Sequence, residues 1–158
     1  IRHSTTDGSR ARRVDPRPPT PDARLRALAQ LRDSGIEAGI NVMPVLPGIT
    51  DRPDQLEPLI KAVAAAGATY LNACALRLRS AARQRYLPFV EKEFPHLAPR
   101  YRATYRSSHH AGERYRQGLN EYFRKVCARY GVPFGHDDDD EVEANETEAA
   151  PAQLMFAF

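Results

Sequence analysis

The stretch TPDARLRALAQLRDSGIEAGINVMPVLPGITD, residues 20–51, decides the fold of this chain. It contains an amphipathic helical segment, a glycine at Gly35, an apolar run over 38–46, and a loop rich in proline and glycine. Helix, buried strand and loop in this order are the repeating unit of parallel α/β proteins, whose sites lie in the loops after the strands. The stretch therefore predicts an α/β fold with functional residues at the carboxyl ends of parallel strands.

Residue types at the ends of these segments mark their limits. Thr20 suits the N-cap of a helix with Pro21 at its first position, and Gly35 suits a Schellman-type end. The apolar run over 38–46 predicts a strand that is covered on both faces. Pro44 cannot donate to a strand ladder, so we expect the regular ladder to end near Met43.

The unit then repeats. Apolar residues at helical spacing predict a second helix that ends at Gly67. Either this helix begins at about Asp54, with Pro58 in its first turns, or it is kinked at Pro58. A second strand is expected over 69–76, with Asn72 and Cys74 on one face. Residues 1–6 resemble the end of an earlier strand, with Ser4, Thr5 and Thr6 at its exit. After residue 78 the pattern predicts helices only, over 83–94 and 112–130.

The formal net charge of +3 conceals an uneven distribution. Residues 137–158 hold eight acidic and no basic side chains, whereas the rest of the chain carries 23 basic and 12 acidic ones, a charge of +11. The segment from Arg77 to Arg129 alone has thirteen basic and four acidic residues. Such a surface suits a polyanionic partner such as DNA, or is simply a solvated arginine-rich helical face. Both interpretations stay open.

Composition limits the class of protein. No apolar run is long enough to span a membrane, so no membrane partner is expected. Cys74 and Cys127 have no CxxC spacing, which favours a reducing, cytoplasmic location. The chain begins at Ile1 without an initiator methionine, and we expect it to be the C-terminal half of a longer protein.

Four segments together resemble the radical S-adenosylmethionine superfamily, in the branch similar to spore photoproduct lyase. They are STTD at 4–7, DPRPPTPDARLRAL at 15–28, GINVMPVLPGITD at 39–51 and RYRQGLNEYFRKVCARYGVP at 114–133. The second contains the family's Pro-x-x-Arg-Leu, and the third matches a glycine-led strand that runs into Pro-x-x-Pro-Gly. The matching residues are Pro21, Arg24, Leu25, Gly39, Pro44, Pro47 and Gly48.

The resemblance covers about residues 1–135 and implies the C-terminal half of a partial (β/α)6, TIM-like barrel over residues 1–78, with a helical extension over 79–135. The acidic composition of residues 136–158 separately predicts a disordered tail. The resemblance also implies a [4Fe–4S] cluster and S-adenosylmethionine as cofactors of a lyase-like enzyme that starts radical chemistry, on DNA in the case of repair. The cluster requires a CxxxCxxC loop of thiolates, which this chain lacks. We therefore expect the missing N-terminal half to supply the cluster, and this chain alone to be inactive.

The family's cofactor contacts carry over to the strand ends. The resemblance places contacts to S-adenosylmethionine at Ser4, Thr5 and Thr6, and contacts to its adenosine at the mouth of the next strand, where Asn41, Met43 and Pro44 lie. Asn72 is added as an amide facing the barrel interior. The alternative for these residues is a simple turn and core packing. The catalytic residues and any metal ligand stay unassigned.

Two other functions compete with this one. The chain ends in AQLMFAF, in which Gln153, Leu154, Phe156 and Phe158 resemble peptides that dock on bacterial DNA sliding clamps. The alternative for this segment is a frayed hydrophobic end. The chain could also belong to another (β/α) barrel enzyme, because a fold does not fix its chemistry. Finally, Tyr101, Tyr105 and Tyr115 interleave with arginines, which suits either base stacking or packing of helices onto the body.

Overall fold

The computed structural model describes residues 20–135, and the remaining residues at either end are not described. Five helices and two strands follow one another in this region. In chain order they are α1 (Pro21–Asp33), β1 (Ile40–Val45), α2 (Pro53–Ala65), β2 (Leu71–Ala75), α3 (Ser80–Glu93), α4 (Ala98–Thr104) and α5 (Glu113–Tyr130). The predicted strand at residues 1–6 and the acidic tail lie outside the described residues.

Helix α1 begins and ends at the predicted residues. The Ala23 amide donates to the Thr20 hydroxyl oxygen at 3.2 Å. At the other end, Gly35 has a φ of 76°, and the Ile36 amide donates to the Leu31 carbonyl at 3.0 Å. This pair of features is a Schellman ending, in which a left-handed glycine lets the chain satisfy the last carbonyls. The prediction for this helix is confirmed.

The two strands form a parallel pair joined through α2. Ile40 lies opposite Leu71 and Asn41 opposite Asn72, and the register shifts between Val42 and Val45. The shift falls at the cis Met43–Pro44 peptide bond, where the regular ladder was expected to end. The α/β class with parallel strands is therefore confirmed.

One face of this sheet is buried beneath helices. Helix α5 contacts both α2 and β2. The alternate residues Ile40 and Val42 of β1 are fully buried, whereas Asn41 and Met43 between them are half-buried. Because side chains alternate across a strand, Asn41 and Met43 lie on the face opposite the core. The fully buried core includes Leu28, Leu56, Leu59, Ile60, Val63, Leu71 and Phe123.

The C-terminal extension differs from its prediction in two places. Helix α4 lies between the two expected helices and was not predicted. After α5 the chain returns to the sheet, where the Leu71 amide donates to the Pro133 carbonyl at 2.9 Å and the Gly135 amide donates to the Leu71 carbonyl at 3.0 Å. Phe134 thus lies beside Leu71 in a parallel bridge, so the expectation of helices only after residue 78 was wrong.

Within residues 20–135, none of the helices combines the length and the apolar character that crossing a membrane requires.

Candidate functional site

Two asparagines lie side by side on the half-buried face of the sheet. Asn41 of β1 and Asn72 of β2 are register partners, so their side chains project from the same face. Asn72 is only 8% exposed. The Oδ1 atoms of both residues are buried, and neither accepts a hydrogen bond within the described part of the chain. An unsatisfied buried acceptor costs about 1–3 kcal/mol. We therefore expect a hydrogen-bond donor from outside the described residues to contact these two oxygens.

The residues beyond the two amides give the site an apolar rim. Met43 and Pro44 follow Asn41 and are half-buried. Cys74 follows Asn72 on the same face, and its thiol donates to the Ala75 carbonyl at 3.3 Å. The face thus offers two amide acceptors beside apolar atoms and a thiol, with no charged side chain on either strand.

Three hydrogen bonds fix the loop that follows β1. The buried Thr50 hydroxyl accepts the Leu46 amide at 2.9 Å, which closes the loop on the strand end. The Tyr101 hydroxyl of α4 donates to the Pro47 carbonyl at 2.8 Å, and the Tyr115 hydroxyl of α5 donates to the Asp51 carboxylate at 3.0 Å. The helical extension therefore borders the carboxyl edge of the sheet, an arrangement that the sequence did not reveal.

A cluster of tyrosines fills the space between the extension and the strand ends. The Tyr101 ring centroid lies 5.8 Å from that of Tyr105 and 6.1 Å from that of Tyr86. The Tyr105 hydroxyl donates to the Leu76 carbonyl at 2.9 Å. Burial raises the pKa of Tyr86 to about 12, an effect that an interaction with Tyr101 partly offsets. Burial also raises the pKa of Tyr101, Tyr105 and Tyr115, so these hydroxyls stay protonated at neutral pH.

The burial of the tyrosine rings shows whether they are available to stack on nucleic-acid bases. Tyr101 is 2% exposed and Tyr105 is 1% exposed, so neither ring offers a face on which a base could stack. Tyr115 is half-buried and engaged with Asp51. The tyrosines pack the extension onto the body, and the base-stacking interpretation is wrong for Tyr101 and Tyr105.

The arginines of the extension fall into two groups. Arg102 pairs with Glu91 at 2.7 Å, Arg129 pairs with Glu57 at 2.6 Å, and Arg83 donates to the Tyr105 carbonyl at 2.7 Å. A second group is exposed, has no carboxylate partner among residues 20–135, and lies next to Tyr105 or Tyr115. We call this group the basic rim: Arg100, Arg106, Arg114 and Arg116.

The cysteines do not fit an iron–sulfur cluster. A [4Fe–4S] cluster requires several thiolates, and the chain holds two cysteines on separate elements. Cys127 of α5 is fully buried, and burial raises the pKa of its thiol to about 11. Across residues 20–135, no cluster of three His, Cys, Asp or Glu side chains is arranged to hold a metal ion.

The structure brings together Asn41, Met43, Pro44 and Asn72 of the expected cofactor contacts. Ser4, Thr5 and Thr6 lie outside the described residues, as do Gln153 to Phe158 of the clamp-like peptide. The sequence did not predict that Tyr101 and Tyr115 would donate hydrogen bonds to the loop after β1. Their only sequence signal was the i, i+4 spacing of Tyr101 and Tyr105 on a helix.

The chain is similar to proteins of mycobacteria. It is 34% identical over 139 residues to uncharacterized proteins of Mycobacterium bovis and Mycobacterium tuberculosis. The match covers 88% of this chain but 40% of each relative, so the chain spans well under half the length of the curated relatives it matches. No family model and no solved structure matches the chain.

Proposed function

We propose that this chain is the C-terminal part of the (β/α)6 barrel of a radical S-adenosylmethionine enzyme, and that Asn41 and Asn72 contact S-adenosylmethionine. The observation that carries the proposal is the pair of buried amide oxygens that have no partner among residues 20–135, on one face of two parallel strands. The sequence resemblance puts a cofactor contact at Asn41, and the alternation of side chains along the second strand puts Asn72 on the interior face beside it.

The chemistry of the two amides suits this cofactor. S-adenosylmethionine presents ammonium, hydroxyl and adenine amino donors, which amide oxygens accept. Neutral amides also add no charge beside the cationic sulfonium, and Met43 and Pro44 offer apolar contact for the adenine. When bound, the cofactor supplies a carbon radical that can remove a hydrogen atom from a substrate. The part of this chain's own residues is to bind and orient it and to exclude water.

The iron–sulfur cluster has to be held by residues outside this chain. The two cysteines do not fit it, and the matched relatives extend well beyond the region that they share with this chain. The half-buried sheet face, with Cys74 beside Asn72, would then face the remainder of the barrel.

The proposal is tested by titrating the isotope-labelled chain with S-adenosylmethionine and following its asparagine side-chain amides by NMR. We expect the Asn41 and Asn72 signals to shift in a saturable way. Asn120 is an internal control, because it is exposed on α5, away from the paired strands. Shifts at Asn120 alone, or no saturable shift at Asn41 and Asn72, would overturn the proposal.

A nucleic acid is a second candidate, as the substrate of the same enzyme. The specific observation is the basic rim, whose four arginines are exposed and have no carboxylate partner among residues 20–135. Arg114 and Arg116 flank Tyr115, which contacts the loop after β1 through Asp51. Phosphate contacts of this kind release counterions, so binding should weaken steeply with salt.

Fluorescence anisotropy with a DNA oligomer at two salt concentrations tests this candidate. We expect Arg106→Gln, Arg114→Gln and Arg116→Gln together to weaken binding. The matched control changes Arg26, Lys61 and Arg124 to Gln, which removes the same charge from exposed positions elsewhere. Equal effects of the two triple variants would leave only the solvated-face interpretation of the arginines.

A further inference from the structure

We propose that the acidic segment at residues 137–148 docks on the basic rim of the same chain and competes there with external polyanions. The docking stands on the described structure and the sequence, whereas the competition rests on the nucleic-acid candidate. Three observations support it: the direction in which the described chain ends, the reach of the segment, and the charge of the two surfaces.

The described chain ends beside β2 and runs in the direction of the carboxyl end of β2. Gly135 pairs with Leu71 at the first residue of β2, and the bridge between Phe134 and Leu71 is parallel. A parallel segment runs in the direction of β2, toward Leu76. The Leu76 carbonyl accepts the Tyr105 hydroxyl, so the end of β2 lies against the helix that precedes Arg106.

The reach of the segment matches this distance. From Leu71 to Leu76 a strand advances about 17 Å, at about 3.3 Å per residue. The first acidic residues, Asp137 to Asp140, follow Gly135 by two to five positions. A chain of that length can span at most about 7–17 Å, so Asp140, the last of the four aspartates, is able to reach the level of the end of β2.

The charges of the two surfaces are complementary. The segment holds eight carboxylates and no basic residue, and the rim holds four arginines without carboxylate partners among the described residues. Nearby carboxylates are already engaged, since Asp51 accepts from Tyr115 and Glu113 from Gln117. A short tether keeps the acidic segment at an effective concentration on the order of millimolar, which favours the intramolecular contact over a dilute partner.

NMR of the full 158-residue chain tests the docking directly. At low salt, we expect the amide signals of Asp137–Asp140 to differ from those of a free peptide of residues 136–158. We also expect the Nε–H signals of the basic-rim arginines to differ from those of the tail variant, in which these four aspartates are changed to Asn. At about 0.5 M salt, where the Debye length is about 4–5 Å, the differences should vanish. Aspartate signals identical to those of the free peptide at both salt concentrations would overturn the proposal.

A charge-matched variant separates docking from net charge. Asp22→Asn, Asp33→Asn, Glu37→Gln and Glu121→Gln remove four exposed carboxylates from the body. We expect the Nε–H signals of the basic-rim arginines in this variant to stay where they are in the unaltered chain, whereas in the tail variant they move. Movement of these signals in both variants to the same extent would also overturn the docking.

Binding of a single-stranded oligonucleotide tests the competition. The tail variant should bind it roughly tenfold more tightly at low salt than the charge-matched variant. If the docking shifts are present but neither variant binds the oligonucleotide, the nucleic-acid candidate fails and the docking is supported on its own. Equal, measurable affinities of the two variants would overturn the competition.

Discussion

Among the glycines of residues 20–135, Gly39 has the least space for a side chain, and replacing it with alanine should strongly destabilise the chain. A Cβ at this position would lie 2.4 Å from the Tyr70 carbonyl oxygen and 2.6 Å from the Tyr70 ring. That carbonyl cannot simply retreat, because it accepts the Ile40 amide at 3.1 Å in the parallel pair. The φ of Gly39 is not positive, so the whole effect comes from the contact and none from backbone strain.

The expected magnitude follows from these contacts. Overpacking in a buried site costs about 1–3 kcal/mol. Displacing Tyr70 also weakens the hydrogen bond to Ile40, which is worth about 1 kcal/mol. We therefore expect Gly39→Ala to lower the free energy of unfolding by about 2–4 kcal/mol.

Urea unfolding followed by circular dichroism measures this change, with Gly118→Ala as the control. Gly118 lies exposed inside α5, and a Cβ there would meet nothing within 4 Å. The control should be stabilised by about 1 kcal/mol through helix propensity. A Gly39→Ala variant as stable as the unaltered chain would refute the close approach of Gly39 to Tyr70, and with it the parallel register.

Three further outcomes are expected. A thiol reagent at pH 8 should label Cys74 and spare Cys127 until the chain unfolds, because Cys127 is buried with its pKa raised to about 11; equal labelling rates would contradict this burial. Above neutral pH, the free energy of unfolding should fall as the pH rises past the ordinary pKa values of cysteine and tyrosine, since the unfolded chain loses these protons first. Urea midpoints from pH 7 to about 11 measure this fall, and a flat profile would argue against the buried tyrosine cluster. Anaerobic reconstitution with iron and sulfide should leave the chain without cluster absorption, and a cluster ligated by Cys74 or Cys127 would refute the assignment of the ligands to residues outside the chain.

Local chemistry made much of the fold predictable. Thr20 and Gly35 mark the ends of α1 because capping depends on neighbouring residues alone. Pro44 located the irregularity in β1 for the same reason, since proline lacks the amide that a ladder uses.

The missed elements depend on contacts that sequence spacing does not encode. Helix α4 is seven residues long, too short to show a periodicity, and Tyr101 holds it against the Pro47 carbonyl, 54 positions earlier in the chain. The bridge at Phe134 is a single residue pair beside Leu71. The sequence around Phe134 has no run of strand-forming residues that would predict this bridge.

The candidate site was predicted only in part. The resemblance singled out Asn41, and the alternation of β2 singled out Asn72. That the two are register partners depends on the length of the α2 crossover and the packing of α2, which fix how the strands align. The hydrogen bonds from Tyr101 and Tyr115 to the loop after β1 were unpredictable for a related reason, because they join segments that are more than fifty residues apart.

The most direct test of the central claim compares Asn72→Leu with the unaltered chain, measuring urea unfolding and the response of the Asn41 amide to S-adenosylmethionine. If Asn72 serves a ligand, its buried oxygen has no hydrogen-bond partner to lose within the described part of the chain. We therefore expect the free energy of unfolding to be unchanged or higher by up to about 2 kcal/mol, and the Asn41 amide to lose its shift on addition of S-adenosylmethionine. A stability loss of about 2 kcal/mol or more, with the shift of Asn41 retained, would contradict the account and make Asn72 a structural residue.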